Sequence, residues 1–404
     1  MTTQQIAART SNTVPGARAL GVVWLTTRLG MFALLVLPSG ALFDAPDIGG
    51  EVYQIYYGWY EQLTRGAFPF DDVMWQYPPG AGLVILMPAA LPWLTYFQAF
   101  VALTLAADAL VARALARAGA AGHGRSAAGA WMWVCALPLL LHLPLVRYDV
   151  QATAIAVLAL LALHRRPSLG GALAGLGAMV KVWPVLTLLG APRGRTTREA
   201  WAAAAASAAV LLAVLTLAFS HTLDFLRQQV GRGVQIESMA GTVLSLARRA
   251  GWSGRVEYRY GSMEFTGPYV PALVHASLFF TAAALCWLLL WRVRARRWTA
   301  ATPFDAALTA VLLFTVTSRV ISPQYLIWLL GLAAVCLTSR ATTQRPVAAL
   351  LLPAAAVSAL AYPVLYGDVV MGTPLGCAIM VVRNGLLLGA ALLACRRLWT
   401  ASGA

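Results

Sequence analysis

The chain of 404 residues carries a formal net charge of +15, with 60% hydrophobic and only 11% charged side chains. Soluble domains average roughly 45–50% and 25% on these counts, so there is too little polar surface here to cover a globule. Apolar stretches close to membrane-crossing length recur from end to end, and none alternates apolar with polar residues as an outer-membrane barrel would.

The predicted class is therefore an all-α polytopic integral membrane protein. In chain order the spans fall at about 18–43, 80–93, 95–117, 127–142, 146–163, 168–190, 200–219, 269–292, 303–318, 322–338, 346–366 and 374–396, twelve helices of which several are short or interrupted by proline. The first exceeds a signal-peptide core and reads as a retained anchor. Two connections are long, 44–79 and 220–268, and the rest are tight turns, so residues 1–404 read as a single transmembrane domain.

Loop charge sets the orientation. Residues 44–79 hold Asp44, Asp47, Glu51, Glu61, Asp71 and Asp72 against Arg65 alone, and should lie outside. Arg292, Arg294, Arg296 and Arg297, then Arg340 with Arg345, and finally Arg396 with Arg397, mark cytoplasmic turns and place both termini in the cytoplasm. His164, Arg165 and Arg166 conflict with Arg193, Arg195 and Arg198, because the two clusters flank one apolar segment. Either one cluster faces the wrong side, or short segments between 80 and 190 dip in and return, leaving ten crossings plus re-entrant pieces. Arginines placed this way read as topology signals and lipid headgroup contacts, with no nucleic-acid partner.

The first long loop opens with Glu51 to Arg65, which reads as a short amphipathic interfacial helix with Tyr53, Tyr57 and Tyr60 at i, i+4 and i+7. It would either anchor at the headgroups or set Glu51 and Asp47 over a lipid-accessible cavity. Pro78 and Pro79 stiffen the approach to the next span and would hold Tyr77 against this loop.

Charges in or beside spans carry the most information, since hydrocarbon penalises each by at least ~2.5 kcal/mol at mid-membrane. Lys181 is the only lysine, and Pro184 should break its helix and free carbonyls beside the ammonium. It either snorkels to an interface or needs an anionic partner such as a phosphate. Arg147 and Asp149, at i and i+2, point to different sides and need not pair. Arg319, near the Pro323 helix start, suits a phosphate cradle or plain interfacial positioning. Arg28, Asp108 and Asp305 read as interhelical hydrogen bonding. The five histidines and five cysteines show no metal-ligand spacing, so no metal site is assigned; His221 alone, at the start of the second long loop, invites a metal or phosphate role.

The acidic first loop ending in Tyr77-Pro78-Pro79 is followed by Arg147-Tyr148-Asp149, Lys181-Val182-Trp183-Pro184 and Ser322-Pro323-Gln324-Tyr325-Leu326-Ile327-Trp328-Leu329. In this order and spacing they resemble the GT-C membrane glycosyltransferases, and most nearly glycosyltransferase family 87, the polyprenyl-phosphomannose-dependent α-mannosyltransferases of actinobacteria. The resemblance runs from about residue 18 to residue 395 and implies a GT-C fold with interfacial helices in its external loops. It implies an inverting transfer of a sugar, mannose by default, from a polyprenyl-phosphate donor to a glycolipid or glycan acceptor on the extracytoplasmic face of the plasma membrane, with no cofactor required. A loop carboxylate acts as base; by matching, that is Glu51, with Asp47 second. Asp149 and Arg147 would orient acceptor or donor, Lys181 and Arg319 would hold the phosphate, and Tyr77 and Gln324, with Tyr325 beside it, would contact sugar or phosphate oxygens. All of this requires Glu51 and Lys181 to share one side of the bilayer and one continuous cleft. The rivals are an arabinofuranosyltransferase of the same fold, a transporter or lipid flippase, and a non-catalytic envelope-assembly partner.

Overall fold

Proline in the first turn, where its missing N–H costs nothing, starts several of the long apolar helices that build this molecule. The computed structural model describes residues 16–37, 47–228 and 231–404; Asp44 and the end of the first predicted span lie outside the described residues. The helices are α1 (Ala17–Val36), α2 (Tyr57–Thr64), α3 (Ala81–Leu86), α4 (Tyr96–Ala120), α5 (Ala128–Ala136), α6 (Asp149–Leu163), α7 (Pro167–Val180), α8 (Arg195–Ala218), α9 (Phe225–Gln228), α10 (Met239–Arg249), α11 (Val270–Arg294), α12 (Thr302–Thr317), α13 (Tyr325–Leu337), α14 (Arg345–Ala359), α15 (Tyr366–Met371) and α16 (Pro374–Ser402). Six helical stretches are long and apolar enough to cross a membrane: α1, α4, α8, α11, Arg345–Val364 and α16. Six shorter apolar stretches of 10–17 residues fill the other predicted positions. The chain is a mostly helical, multi-pass membrane protein.

Side-chain contacts define the path. Gly171 and Gly175 of α7 press against Ala200 and Ala204 of α8, so closely that a Cβ would strike the backbone. This small-residue packing replaces the hydrophobic effect that hydrocarbon cannot supply. The paired positions rise together, so α7 and α8 are parallel, and the chain must return between them. Residues Trp183–Gly190 make that return in 3₁₀ turns. Pro184 folds back against Gly177, and Gly190 abuts Pro303 at the start of α12. Lys181 sits at the tip in extended conformation (φ −147°, ψ 137°), the helix break its proline neighbour demanded.

Residues 80–93 behave similarly. Phe68 and Leu63 pack on Gly82, and Tyr96 at the head of α4 donates to the Ile85 carbonyl (3.1 Å), so this stretch begins and ends beside the first loop. Residues 80–93 and 167–190 thus both turn back. The two basic clusters flanking 167–190 therefore occupy one end of that segment's fold. At that end Arg292 donates to the Leu189 and Ala191 carbonyls (2.7 and 2.8 Å).

The second long loop folds into more than helix. Strands β1 (Val234–Gln235), β2 (Arg255–Arg259) and β3 (Ser262–Thr266) form an antiparallel sheet in the order β1-β3-β2, pairing Val234 with Phe265 and Val256 with Phe265. Ser238 caps α10 by accepting from the Gly241 N–H (2.9 Å). Val234, Ile236, Leu244 and Phe265 bury themselves with Val369 and Met380, docking this loop onto α15 and α16.

Inside the bundle, Arg28 pairs with Asp108 (2.8 Å), whose carboxylate also accepts from Trp24 and Trp133 (2.7 Å each). Asp305 accepts from the Thr342 and Thr343 hydroxyls (2.5 and 2.9 Å). Both are interhelical hydrogen-bonding centres.

Candidate active site

The first-loop helix begins as a wide π turn, Glu51–Tyr56, before tightening into α2. Its buried face is Val52, Tyr56, Trp59 and Leu63, which join the aromatic cluster over the loop. The tyrosine stripe picked out by spacing lies on the other side, with Tyr53 and Tyr57 46% and 40% exposed. A turn that hydrogen-bonds i to i+5 brings Glu51 and Tyr56 together, and the Tyr56 hydroxyl donates to Glu51 Oε1 (2.8 Å).

Glu51 Oε2 meets Arg147 Nη2 at 2.6 Å. Arg147 is extended (φ −131°, ψ 128°) between the 3₁₀ turn Leu143–Val146 and α6. Two residues on, Asp149 occupies the first turn of α6, where aligned peptide dipoles favour a carboxylate. Its Oδ1 accepts from Lys181 Nζ (2.7 Å) and Trp328 Nε1 (2.6 Å). The i and i+2 residues thus reach different partners. The anion beside Lys181 in the folded chain is Asp149, and the ammonium also lies 4.6, 5.2 and 5.5 Å from the Tyr148, Trp328 and Tyr77 ring centroids.

These groups border a cavity of about 460 Å³ between the two long loops. Glu51, Asp47, Tyr77, Arg147, Lys181, Gln324 and Tyr325 all line it, so Glu51 and Lys181 share one continuous space. Glu51 is 26% exposed and Arg147 5%, leaving the carboxylate as the accessible partner. Tyr77 is held edge-on by Trp59, Trp75 and Tyr148, where burial and the nearby Glu51 charge push its hydroxyl pKa up and keep it a donor. Tyr325 stacks on Trp328 (3.9 Å between centroids), and Trp328 on Trp183.

Two expected residues stand apart from the cavity wall. Asp149, 1% exposed, lies behind it and can act only through Lys181. Arg319 stands near Arg232 and Glu264, and its carbonyl accepts from the Gln235 N–H (3.1 Å). His221 is also off the wall, stacked on Phe70 and bonded to Asp224 (2.8 Å).

The wall also holds residues that no pattern in the sequence singles out. Arg232 donates to Gln76 Oε1 (2.6 Å), Glu264 Oε1 (3.1 Å) and Ser262 Oγ (3.1 Å), tying the first loop to β3. Gln235, Glu237, Ser322, Tyr258 and Tyr362 line the space with it. Glycines flanking Arg232 were the one local hint; the others carry no distinguishing pattern. Among the described residues, no three His, Cys, Asp or Glu side chains gather as a metal site.

The arrangement can remove a proton at Glu51 and stabilise an anion with the Lys181, Arg147 and Arg232 cations. The family model described as glycosyltransferase family 87 matches residues 75–323, more than half of the chain. That segment contains Tyr77, Arg147, Asp149, Lys181 and Arg319, but neither Asp47 nor Glu51. No curated protein and no solved structure matches the chain.

Proposed function

The chain belongs to glycosyltransferase family 87, and from that premise we propose that it moves a sugar, mannose as the family resemblance implies, from a polyprenyl-phosphate donor to a glycolipid or glycan hydroxyl on the extracytoplasmic face. The observation that carries this is the accessible Glu51 carboxylate, braced by Arg147 and Tyr56, in one cavity with Lys181 and Arg232.

In this reading the acceptor hydroxyl bonds to Glu51, which takes its proton as the oxygen attacks the anomeric carbon. The bond from that carbon to the phosphate oxygen breaks, its electron pair leaves with polyprenyl phosphate, and the configuration inverts. Lys181, with hydrogens to spare beyond Asp149, and Arg232 offset the charge gathering on the phosphate; losing one such donor typically costs about 10²–10³ in rate. Asp149 holds the ammonium in place, and Tyr77 and Gln324 offer hydrogen bonds to sugar or phosphate oxygens. Asp47, exposed and bonded to the Gly50 N–H (3.2 Å), stands as the second carboxylate.

The test is transfer of labelled mannose from a polyprenyl-phosphate donor to octyl α-D-mannopyranoside by purified protein, with products identified by mass spectrometry. Glu51→Gln should lower transfer by about 10²–10⁴ while leaving folding and membrane insertion intact. Normal transfer by that variant removes Glu51 as the base. Movement of the lipid without covalent change would replace the enzyme by a transporter.

A further inference from the structure

Glu237 enters the cavity from the turn between β1 and α10. It is 3% exposed, and among the described residues it forms no ion pair, whereas Glu51, Asp149 and Glu264 each have a cation. One carboxyl oxygen accepts from Gln235 Nε2 (3.1 Å), and that amide also reaches Ser322 Oγ (3.3 Å). The buried guanidinium of Arg383 donates through Nη1 to the Glu237 backbone carbonyl (2.8 Å) and Asn384 Oδ1 (2.9 Å) and through Nε to Ser358 Oγ (3.1 Å), while its Nη2 reaches no acceptor among the described residues and does not bond the Glu237 carboxyl. Burial outweighs the Arg383 charge and pushes the Glu237 carboxyl up to about 7. A carboxyl that keeps its proton both donates and accepts, as a sugar hydroxyl does.

Its neighbours on the cavity wall share this character. Gln235, Ser322, Tyr362 and Tyr366 are uncharged hydrogen-bonding groups. A phosphate would find no cation in this group, whereas a polyol would find several matching partners.

We propose that Glu237, seated on Gln235 and Ser322, is a sugar-binding residue that hydrogen-bonds ring hydroxyls of a sugar held in the cavity, while Glu51 takes the proton and Lys181 faces the phosphate. This rests on the glycosyl-transfer reading. The hydroxyls belong to the donor sugar or to the acceptor sugar, and kinetics separate the two.

With polyprenyl-phosphate mannose and octyl α-D-mannopyranoside at pH 6, Glu237→Leu raises one KM about tenfold, the loss of one buried hydrogen bond, with kcat changed less than about threefold. A rise in the donor KM assigns the hydroxyls to the donor, and a rise in the octyl mannoside KM to the acceptor. Glu237→Gln, which keeps a donor and an acceptor, holds both KM values within about twofold.

The Gln variant carries the test alone if the Leu variant fails to fold. Between pH 6 and 8.5 the wild-type KM rises as Glu237 loses its proton, and the variant's KM stays flat. The groups facing Glu237 from α16, α13 and α15 with the preceding turn are Arg383, Tyr325, Tyr366 and Tyr362, an arginine and three phenols that do not ordinarily change charge below about pH 9. Unmoved KM values in the Leu variant, or equal pH dependence in wild type and Gln variant, overturn the subsite alone. A wild-type protein that transfers nothing overturns the transfer reading and the subsite together.

Discussion

Removing the ammonium at the tip of the re-entrant segment should cost stability and activity by separable amounts. In Lys181→Met, Asp149 stays 1% exposed and keeps only the Trp328 hydrogen bond (2.6 Å) in place of its 2.7 Å ion pair. Breaking a buried pair from one side costs about 3–5 kcal/mol, because the remaining charge is stranded. Asp149→Asn strands the ammonium instead, though the Tyr148 and Trp328 faces at 4.6 and 5.2 Å return about 1–2 kcal/mol of cation–π attraction. The double variant removes both charges and should lose less than either single change, for a coupling of about 2–4 kcal/mol. Unfolding in mixed detergent micelles measures the cycle, and the mannose-transfer assay is run on the same four proteins. The double variant should recover most of its stability yet remain about 10²–10³ slower than wild type, since one of the two cations facing the departing phosphate is then gone and Arg232 acts alone. Wild-type turnover in the double variant would reduce Lys181 to a structural residue, and additive single costs would show that the pair is not coupled.

Gly80→Ala should cost about 1–3 kcal/mol and reduce transfer, because a Cβ there would lie 2.5 Å from the Met179 carbonyl oxygen and push α3 away from the end of α7; melting and transfer assays check it, and an unaffected variant would mean that Tyr77 and Lys181 do not depend on this approach. Glu237 should make stability fall with rising pH. Its folded value of about 7 lies above the ordinary 4.5, so between these pH values the folded chain holds a proton that the unfolded chain has released. The stabilisation is complete below 4.5 and is lost as pH rises through 7, amounting to about 3 kcal/mol. Melting curves from pH 5.5 to 8.5 should fall more steeply for wild type than for Glu237→Gln, and equal slopes would contradict the buried, protonated carboxyl.

Several residues of the candidate site are conspicuous in the sequence without a structure. Lys181 stands alone in an apolar run, Arg147 and Asp149 open another, and Glu51 heads a loop crowded with acids. The first three are costly in hydrocarbon and so stand out as candidates, whereas Glu51 stands out by the crowding of acids in its loop. Glu237 and Arg232 lie in a long polar loop where charge costs little, and only the docking of that loop against α15 and α16 makes them part of a wall. The tyrosines show the same limit: periodicity identified a helix, but the π turn and the packing of Tyr56 and Trp59 decided which face it buries.

Composition alone determined that this chain lives in a membrane, since 60% hydrophobic residues cannot be hidden in a globule of this length. It determined where the helices lie and that Pro184 must interrupt one of them, because backbone polar groups in lipid have to be satisfied locally. Only the tertiary structure decided that residues 167–190 return to the end they left. That outcome depends on Gly171 and Gly175 meeting Ala200 and Ala204, a contact between surfaces whose alternatives have the same hydropathy. It also decided the pairing of charges, Glu51 with Arg147 and Asp149 with Lys181, because partners 96 and 32 residues apart meet only when the bundle closes.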